Sequence, residues 1–481
     1  MYEQSKQRAC RSLVSPRSTT LHFPPGDLRD LDRNVPIRLE APLHGLRNRR
    51  GIALAAVCVA RVTSFPIYLF IFLVFLNRYV FGFYLTILRR KTIDETIEGY
   101  EPTITVVVPL FNEGRSIYDT IKSLVMLDYP TEKLEVTVVD DCSTDDSYEW
   151  ACKAASEHSN VRVLRNPFNM GKRKGINHAV RESTSEIIVS VDSDVIVYPT
   201  ALRELVARFV SPNIAAVGGR IHVSNPNENW LTRLQTIKYY FGQEHLKNLE
   251  RGLRQVLCLS GCLTAYRRHV LIELEPLLEN RNILGIPIKY GEDRFLTHQI
   301  VKHGYRTVMT MKAMCFTKAA PTLRGYFNQQ LRWKRSNIVD FIIFSPSAWK
   351  MHPLVCLQYL SMLLLLLIYP FIIITHIERH EFLELAMFHM AVIGLLAFVY
   401  HFAPSVRALP PWLRVHPIAF LPMTVLMPVA YLLLTPLGLF TLDSSSWETR
   451  GHGQLPTATT VPPAQDGASQ RTLASGAGAH P

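Results

Sequence analysis

The sequence predicts an α/β domain flanked on both sides by membrane-spanning helices. Between about residues 100 and 321, strand-like apolar runs alternate with helical patterns, which is typical of a βαβ array. Long apolar runs precede and follow this region, and hydrophobic residues make up 48% of the 481-residue chain. Because about 20 apolar residues suffice to cross a bilayer as a helix, the sequence indicates an integral membrane protein.

Charge and cysteine content narrow the class of protein. The formal net charge is +12, with Lys and Arg concentrated in the N-terminal arm, beside the apolar runs and in one interior cluster. Basic residues next to membrane segments are typical of the cytoplasmic face, so we expect no nucleic acid partner. The eight cysteines form no Cys-x-x-Cys pair, and they therefore indicate neither a zinc site nor a disulfide framework.

The N-terminal part divides into a basic arm and a membrane segment. Residues 1–50 mix Arg, Pro, Ser and Asp without periodicity, which predicts a disordered cytoplasmic arm. Residues 51–91 are apolar as far as Leu88 and end in Arg89-Arg90-Lys91. They form either one long span or a tight two-span hairpin, and the basic clusters on both sides favour the hairpin.

Polar turns follow the strand-like runs of residues 100–321. The runs begin at Thr103, Leu134, Val161 and Glu186. The turns contain Asn112-Glu113, Asp140-Asp141, Gly171-Lys172-Arg173-Lys174-Gly175 and Asp192-Ser193-Asp194. Because the carboxyl ends of parallel strands meet at one edge of an open sheet, we expect these turns to border a common crevice.

The residue types in these turns suit a nucleotide sugar. Asp192 and Asp194 can hold Mg²⁺ or Mn²⁺, which keeps open positions for phosphate oxygens. Lys172 and Arg173 can neutralise a diphosphate, and Asp141 can accept hydrogen bonds from a uracil ring or ribose. Each feature has a plainer alternative: a solvated acidic turn, a solvated basic turn and a helix cap, respectively.

Two further motifs supply a base and a sugar platform. Glu292-Asp293 offers a carboxylate that can deprotonate an acceptor hydroxyl, although an acidic pair before Arg294 is also a common helix start. Gln329, Arg332 and Trp333 share one helical face because they are spaced by three and four residues. A Trp ring is a natural stacking surface for a sugar, and the alternative is an interfacial Trp-Arg anchor.

The C-terminal part is amphipathic and then apolar. Residues 322–350 predict an amphipathic helix at the membrane interface. Three runs within residues 353–440 are long enough to span: Pro353–Ile377, Phe382–Ala403 and Pro417–Phe440. Arg407 and Arg414 favour a cytoplasmic position for the loop before the third run. Residues 441–481 are rich in Ser, Thr, Ala, Gly and Pro, which predicts a disordered tail.

The order of these motifs resembles one family. Asp141, Asp192-Ser193-Asp194, Glu292-Asp293 and Gln329-x-x-Arg332-Trp333, bracketed by membrane segments, resemble the processive membrane glycosyltransferases of family 2. Within that family the series is most similar to hyaluronan synthases and rhizobial chitooligosaccharide synthases. Cys262 stands where the family commonly has Pro, and Glu448 stands where a short Trp-Gly-Thr-Arg motif has Gly.

The resemblance implies a cytosolic GT-A-type, Rossmann-like catalytic domain and a role for each site residue. It implies that the uridine and the diphosphate are contacted by Asn112, Glu113, Asp141, Lys172, Arg173 and Asp192. It implies that Asp194 is the main ligand of Mg²⁺ or Mn²⁺, with Asp192 beside it, and that Asp293 is the general base. Residues lining the acceptor site are Ser260, Gly261, Gln329, Arg332 and Trp333.

The implied activity is inverting polymerisation of UDP-sugars in the plasma membrane, with a multi-pass chain and a growing polysaccharide as acceptor. Hyaluronan is the expected product, and the alternative product is a chitooligosaccharide made from UDP-N-acetylglucosamine alone. Two other classes of protein are also open: an enzyme that transfers a single sugar to a lipid carrier, and a transporter or receptor with a degenerate nucleotide domain. Three C-terminal spans would put the tail outside, whereas the family places it inside. An extra crossing or a re-entrant segment within residues 404–440 would remove this conflict. The sequence leaves the oligomeric state open.

Overall fold

A computed structural model describes residues 81–442 except 284 and 289, together with isolated residues between 69 and 77. The predicted arm at residues 1–50, most of the segment at 51–91 and residues 443–481 of the tail lie outside the described part of the chain. The number of N-terminal spans is therefore a prediction that the described residues leave untested.

A mixed sheet of eight strands forms the centre of the catalytic domain. Its strands are β1 (Ile104–Leu110), β2 (Leu134–Asp140), β3 (Val161–Arg165), β4 (Ile187–Ser190), β5 (Ile196–Val197), β6 (Ile214–Val223), β7 (Thr264–Arg267) and β10 (Arg306–Thr317). A separate two-stranded ribbon consists of β8 (Asn282–Ile283) and β9 (Ile286–Pro287). In the large sheet the strand order is β3-β2-β1-β4-β7-β6-β10-β5.

The strand directions differ from a purely parallel array. Strands β1 to β4 pair in parallel, as the alternating pattern predicts. Strand β7 then inserts antiparallel between β4 and β6, and β5 pairs antiparallel with β10. The β4 strand thus has one parallel and one antiparallel neighbour. Its residues remain buried on both faces, which explains why its sequence is a continuous apolar run.

Helices cover both faces of the sheet and extend beyond it. The helices that precede β6 along the chain are α1 (Gly82–Leu88), α2 (Arg90–Ile93), α3 (Ser116–Val125), α4 (Ser147–Glu157), α5 (Lys172–Glu182) and α6 (Ala201–Val206). Next along the chain come α7 (Trp230–Glu244), α8 (Asn248–Gly252), α9 (Arg268–Glu279), α10 (Glu292–Lys302) and α11 (Leu323–Phe344). The C-terminal helices are α12 (Pro353–Glu378), α13 (Phe382–Phe402), α14 (Pro404–Arg407) and α15 (Met423–Phe440).

Strand β1 shows how sequence alternation builds two cores. Val106 and Val108 belong to the cluster that contains Ile117 and Ile121 of α3. Val107 belongs to the opposite cluster, which contains the apolar face of α5. Successive side chains of a strand point to opposite faces, so one apolar run buries itself between two helix layers. This packing fixes the carboxyl ends of β1, β2 and β4 at one edge.

Three of the described helices are long and apolar enough to cross a membrane: α12, α13 and α15. Helices α12 and α13 match the first two predicted spans closely. The third helix begins at Met423, so the predicted start at Pro417 is wrong; residues Pro417–Phe420 form a 3₁₀ turn instead. Prolines at 417 and 422 lack the amide hydrogen that helix propagation needs, which explains the late start.

Both ends of α15 lie against the catalytic domain. Just before its start, the ring of Phe420 stacks on Phe241 of α7, with 5.9 Å between the ring centroids. Just after its end, the carbonyl of Leu442 accepts a hydrogen bond of 2.8 Å from the hydroxyl of Tyr290. Whether α15 crosses the membrane or re-enters it stays a prediction.

Candidate active site

A cavity of about 1810 Å³ runs from the carboxyl edge of the sheet to the apolar helices. At one end it is lined by Asp192, Asp194 and Asp293. At the other end it is lined by Leu366 of α12 and Tyr431 of α15. The cavity therefore joins the predicted acidic turns to the membrane helices.

Asp192 is held between an ammonium group and a thiol. Its Oδ1 lies 2.6 Å from Nζ of Lys172, and its Oδ2 accepts from Sγ of Cys262 at 3.3 Å. Burial raises the pKa of a carboxyl group, but the Lys172 charge and hydrogen bond outweigh burial and hold the pKa of Asp192 below its ordinary value. Asp192 is thus ionised at neutral pH.

Asp194 sits on the same turn and is oriented separately. Its Oδ2 accepts a hydrogen bond of 3.0 Å from the hydroxyl of Thr317 at the end of β10. The carbonyl of Ser193 accepts a hydrogen bond of 2.9 Å from the hydroxyl of Thr120, which ties the turn to helix α3. Asp192 and Asp194 both line the cavity, so the turn presents two carboxylates to the same space.

This pair of carboxylates fits a hard divalent cation in part. Carboxylate oxygens are the ligands that Mg²⁺ and Mn²⁺ prefer. Among the described residues, no cluster of three or more His, Cys, Asp or Glu side chains is arranged to hold a metal ion. A cation here would need phosphate oxygens and water to complete its coordination.

Lys172 is the positive centre of the carboxylate edge, the group formed by Lys172, Asp192, Asp194, Glu292 and Asp293. Its Nζ lies 2.6 Å from Asp192, 3.5 Å from Glu292 and 4.0 Å from Asp293. Burial lowers the pKa of the amine, but these carboxylates together raise the pKa of Lys172 well above its ordinary value. Lys172 opens helix α5, so the predicted basic turn is wrong in form: its residues start a helix.

Asp293 begins helix α10 and faces the cavity. Its Oδ2 accepts from the backbone amide of Gly261 at 2.9 Å, and 32% of its side chain is exposed. Burial raises the pKa of Asp293 to about 6, against the lowering effect of Lys172. A carboxylate with this pKa is ionised at pH 7 and remains a useful proton acceptor.

Gly261 leaves no room for a side chain beside Asp293. A Cβ at this position would lie 2.8 Å from Oδ1 of Asp293 and 2.9 Å from Nζ of Lys172. These distances are shorter than real Cβ contacts, so glycine permits the close approach of the 260–262 backbone. Ser260, on the same segment, lines the cavity.

Gln329, Arg332 and Trp333 of α11 all line the cavity, as the helical spacing predicts. The ring of Trp333 meets that of Tyr239 edge to face, with 6.2 Å between centroids. Oε1 of Gln329 and Nε of Arg332 are buried without a hydrogen-bond partner within the described structure. Buried polar atoms are normally satisfied, so these two atoms are suited to a ligand.

Asp141 lies outside the cavity lining. It is 3% exposed, and its carboxylate accepts hydrogen bonds from the amide of Asn166 and from the backbone amides of Met170 and Gly171, at 2.9, 2.8 and 2.7 Å. These contacts hold the loop that leads into α5. In this structure Asp141 therefore positions Lys172, and its predicted contact with a nucleoside stays a prediction.

The remaining predicted donor residues divide in the same way. Glu113 lines the cavity, whereas Asn112 accepts at Oδ1 from the backbone amide of Thr144 at 2.8 Å and lies outside the lining. Nη1 of Arg173 donates to the carbonyl of Ile288 at 3.1 Å, and Arg173 also lies outside the lining. The structure thus brings Glu113 to the cavity and turns Asn112 and Arg173 towards the protein.

Sequence reasoning missed Lys238 and Lys334, which also line the cavity. A single Lys within an amphipathic helix carries no motif, so the sequence offers no signal for either. Cys262 is noticed in the sequence only as a departure from the family pattern, and its contact with Asp192 depends on the fold of the 260–262 segment.

Comparison with known proteins gives the family. A family profile described as "Glycosyl transferase family 2" matches residues 105–275. An N-acetylglucosaminyltransferase of Rhizobium leguminosarum is 31% identical over 376 residues, which cover 76% of this chain and 86% of that protein. The chain belongs to glycosyltransferase family 2. As a member of that family it is an enzyme that transfers glycosyl groups.

Other relatives of this family 2 chain carry two different names. A hyaluronan synthase of Streptococcus pyogenes is 30% identical over 416 residues, covering 81% of this chain and 96% of that protein. An N-acetylglucosaminyltransferase of Mesorhizobium japonicum is 32% identical over 244 residues, and the match spans 57% of its length. The three apolar helices of the described residues point to a membrane protein.

A solved structure shows the same catalytic fold. The mannosyltransferase PcManGT from Pyrobaculum calidifontis, in complex with GDP-Man and Mn²⁺, aligns with a TM-score of 0.51 over 78% of this chain and 97% of that one. Its sequence is 21% identical, so the likeness concerns the fold. The GT-A-like catalytic fold predicted for this family 2 enzyme is therefore confirmed.

Proposed function

We propose that this family 2 enzyme is a processive, inverting glycosyltransferase that polymerises UDP-sugars and secretes the polysaccharide, with hyaluronan as the product. UDP-N-acetylglucosamine and UDP-glucuronate are the donors. The observation that carries the proposal is one continuous cavity. It is lined by Asp293, by the diacidic turn Asp192-Ser193-Asp194 and by Trp333 of α11, and it reaches the apolar helices α12 and α15.

Asp293 acts as the general base. Its carboxylate faces the cavity, is ionised above pH 6 and is held by the amide of Gly261. It takes the proton from an acceptor hydroxyl, whose oxygen attacks the anomeric carbon from the side opposite the nucleotide. General base catalysis contributes about 10²–10⁴-fold to such a reaction. One displacement inverts the anomeric configuration, so no covalent enzyme intermediate is needed.

The diacidic turn and Lys172 handle the leaving group. Asp194 and Asp192 would hold Mg²⁺ or Mn²⁺, which would supply positive charge against the negative charge that develops on the departing UDP. Lys172 contributes a buried positive charge at the same edge. Asp141 supports this edge by holding the loop that carries Lys172.

Trp333 forms the floor beneath the terminal sugar of the acceptor. Gln329 and Arg332 supply polar contacts from the same helix, and their unpaired atoms suit hydroxyl or phosphate oxygens. Because the cavity continues to α12 and α15, the growing chain can leave towards the membrane without dissociating. The multi-pass enzyme accordingly works in the plasma membrane with its catalytic domain in the cytosol.

A chitooligosaccharide synthase is the second candidate, because the Rhizobium relative matches as well as the Streptococcus relative does. Such an enzyme would use UDP-N-acetylglucosamine alone. It would share the base, the diacidic turn and the membrane helices. Donor use therefore separates the two candidates.

Donor use is tested with purified enzyme in lipid nanodiscs, with Mn²⁺ or Mg²⁺ and with EDTA as the metal-free control. Each labelled donor is supplied alone and then both together, while UDP release and product size are measured. Long polymer only with both donors supports hyaluronan. Polymer from UDP-N-acetylglucosamine alone overturns it in favour of chitooligosaccharide, and a single sugar on a lipid overturns processivity. No UDP release from either donor overturns the proposed donors altogether.

A further inference from the structure

The basic side chains that line the cavity include Lys238, Lys247, Arg332 and Lys334. Within the described part of the chain, none of them lies within ion-pair distance of a carboxylate. This contrasts with Lys172, which contacts three carboxylates. Among the described residues, Lys238 and Lys334 thus line the cavity without a carboxylate within ion-pair distance, whereas the charge of Glu250 acts on Lys247 and that of Arg332 acts on Asp192.

Among the described residues, Lys238 hydrogen-bonds only to neutral side chains, those of Gln330 and Tyr326. Its Nζ donates to Oε1 of Gln330 and lies 3.4 Å from the hydroxyl oxygen of Tyr326. Burial, together with the charge of Lys334, lowers the pKa of Lys238 to about 7. The hydrogen-bond partners of Lys238 are both neutral, so no carboxylate among them balances its positive charge.

Lys334 faces the same space from α11. Its Nζ lies 3.7 Å from the centroid of the Tyr431 ring. Burial lowers the pKa of Lys334 to about 8. Burial and mutual repulsion disfavour the charged form of these two amines, and an anion between them would favour it.

The surroundings of the two lysines suit a sugar. The two lysines share the cavity lining with Tyr239 and Trp333, whose rings meet edge to face. Amide side chains on the same helix, among them Gln329 and Gln330, can bind hydroxyl groups. A ligand that combines an anion with hydroxyl groups and a flat apolar face matches this wall better than a phosphate alone.

We propose that Lys238 and Lys334 bind a carboxylate of the sugar chain that the enzyme elongates, so that its acceptor is an anionic, uronate-containing polysaccharide. This inference rests on the proposed function and names the acceptor class of the same site. The phosphate of a lipid carrier is the competing anion. The sugar is favoured because the aromatic pair and the amides lie beside the lysines, whereas the diphosphate site lies at the carboxylate edge.

The test is direct binding to the full-length enzyme in nanodiscs, loaded with UDP and Mn²⁺. The probes are two tetrasaccharides, one of alternating N-acetylglucosamine and glucuronate and one of N-acetylglucosamine alone. We expect the anionic probe to bind at least about tenfold more tightly, since hydrogen bonds to charged groups contribute this much. UDP release from UDP-N-acetylglucosamine is measured on the same preparation.

Lys238→Gln and Lys334→Gln are each expected to weaken binding of the anionic probe about tenfold and to leave the neutral probe unchanged. Lys238→Arg retains the charge and is expected to restore most of the affinity. The matched control is Lys312→Gln, which removes an exposed lysine of β10 outside the cavity lining. It is expected to bind both probes as the unaltered enzyme does.

Equal binding of the two probes, or equal loss of both in Lys238→Gln, overturns the inference. Displacement of the anionic probe by polyprenyl phosphate, lost in the same variant, assigns the lysines to a lipid phosphate and overturns it too. If the variants change the KM for UDP-glucuronate but bind the probes as before, the two lysines bind the donor, and the inference is overturned. If UDP release persists in these cases, the proposed glycosyl transfer stands; if no donor releases UDP, the proposed function itself fails.

Discussion

The two sides of the cavity differ in how their polar groups are satisfied. At the carboxylate edge, Lys172 lies within ion-pair distance of Asp192 and its acidic neighbours, and the backbone amide of Gly261 donates to Asp293. On the opposite wall, which we call the α11 wall (Lys238, Gln329, Arg332, Trp333 and Lys334), Oε1 of Gln329 and Nε of Arg332 have no hydrogen-bond partner within the described structure, and the two lysines contact neutral groups. We therefore expect the edge to be organised before substrate binds and the wall to gain hydrogen bonds from the ligand. Substitutions at the edge should affect kcat, and those on the wall should affect acceptor binding.

Asp293→Asn tests the edge most strongly. Removing the base should lower kcat about 10³-fold and leave the KM for the donor nearly unchanged, because the amide cannot accept the proton. The measurement is UDP release against donor concentration. Glu292→Gln is the matched control, since Glu292 also pairs with Lys172 but lacks the contact with Gly261. A loss in Glu292→Gln as large as in Asp293→Asn would transfer the role of base to Glu292.

Gly261→Ala tests whether the edge depends on close packing. The added methyl group would displace Asp293 or Lys172, and a misplacement of about 1 Å can cost about 10²-fold in rate. We expect kcat to fall by that factor with thermal stability little changed. Gly394→Ala in α13 is the control, because a Cβ there meets nothing within 4 Å. Full activity of Gly261→Ala would show that the edge tolerates movement.

The pH dependence should follow Asp293. Its pKa of about 6 means that kcat/KM falls about tenfold per pH unit below 6, because protonation removes the base. The positive charge of Lys172 lowers the pKa of Asp293, so the residual activity of Lys172→Gln should lose its base at a higher pH than the unaltered enzyme. An acid limb near pH 4 in the unaltered enzyme would contradict the burial of Asp293.

Gln329→Met separates the wall from the edge. It removes a buried, unpaired oxygen, so it should raise the free energy of unfolding without ligand by about 1 kcal/mol while weakening acceptor binding. Gln330→Met is the matched control: Oε1 of Gln330 accepts from Lys238, so this variant should be destabilised. Thermal unfolding of the ligand-free enzymes measures both. Destabilisation of Gln329→Met would indicate a structural partner for its side chain.

Arg173→Met should have the smallest effect on donor binding and tests whether the carboxylate edge ends at Lys172. Because Arg173 contacts the carbonyl of Ile288 and not the cavity, the KM for the donor should stay within about twofold. Lys172→Met, one residue earlier, should raise that KM or abolish turnover. A tenfold rise in KM for Arg173→Met would restore the role in diphosphate binding that the family resemblance implies.

What the sequence predicts well are features fixed by local pattern. Asp192 and Asp194 follow a buried strand, and a parallel strand next to β1 must end at the same edge as β1. Gln329, Arg332 and Trp333 share a face because helical spacing brings them together, and all three line the cavity. In these cases the period of the chain alone determines where the side chains point.

What the sequence predicts poorly depends on which groups meet after folding. The carboxylate of Asp141 is occupied by the backbone of a loop about thirty residues later, and no local pattern specifies that pairing. Lys172 belongs to a helix because its segment packs on the sheet, although its composition is that of a basic turn. Strand β7 enters the sheet antiparallel after a long excursion, which alternation of strands and helices does not encode.

The hydrogen bond between Tyr290 and Leu442 makes the last apolar helix inseparable from the catalytic machinery. Tyr290 directly precedes the Gly291-Glu292-Asp293 segment, and Arg335 of α11 donates to Thr441 at the same junction. A chimera that combines the catalytic domain of one relative with the apolar helices of another must therefore transfer both sides of this junction together. Exchange of α15 alone would disturb the contacts of Thr441 and Leu442 beside the segment that contains Asp293.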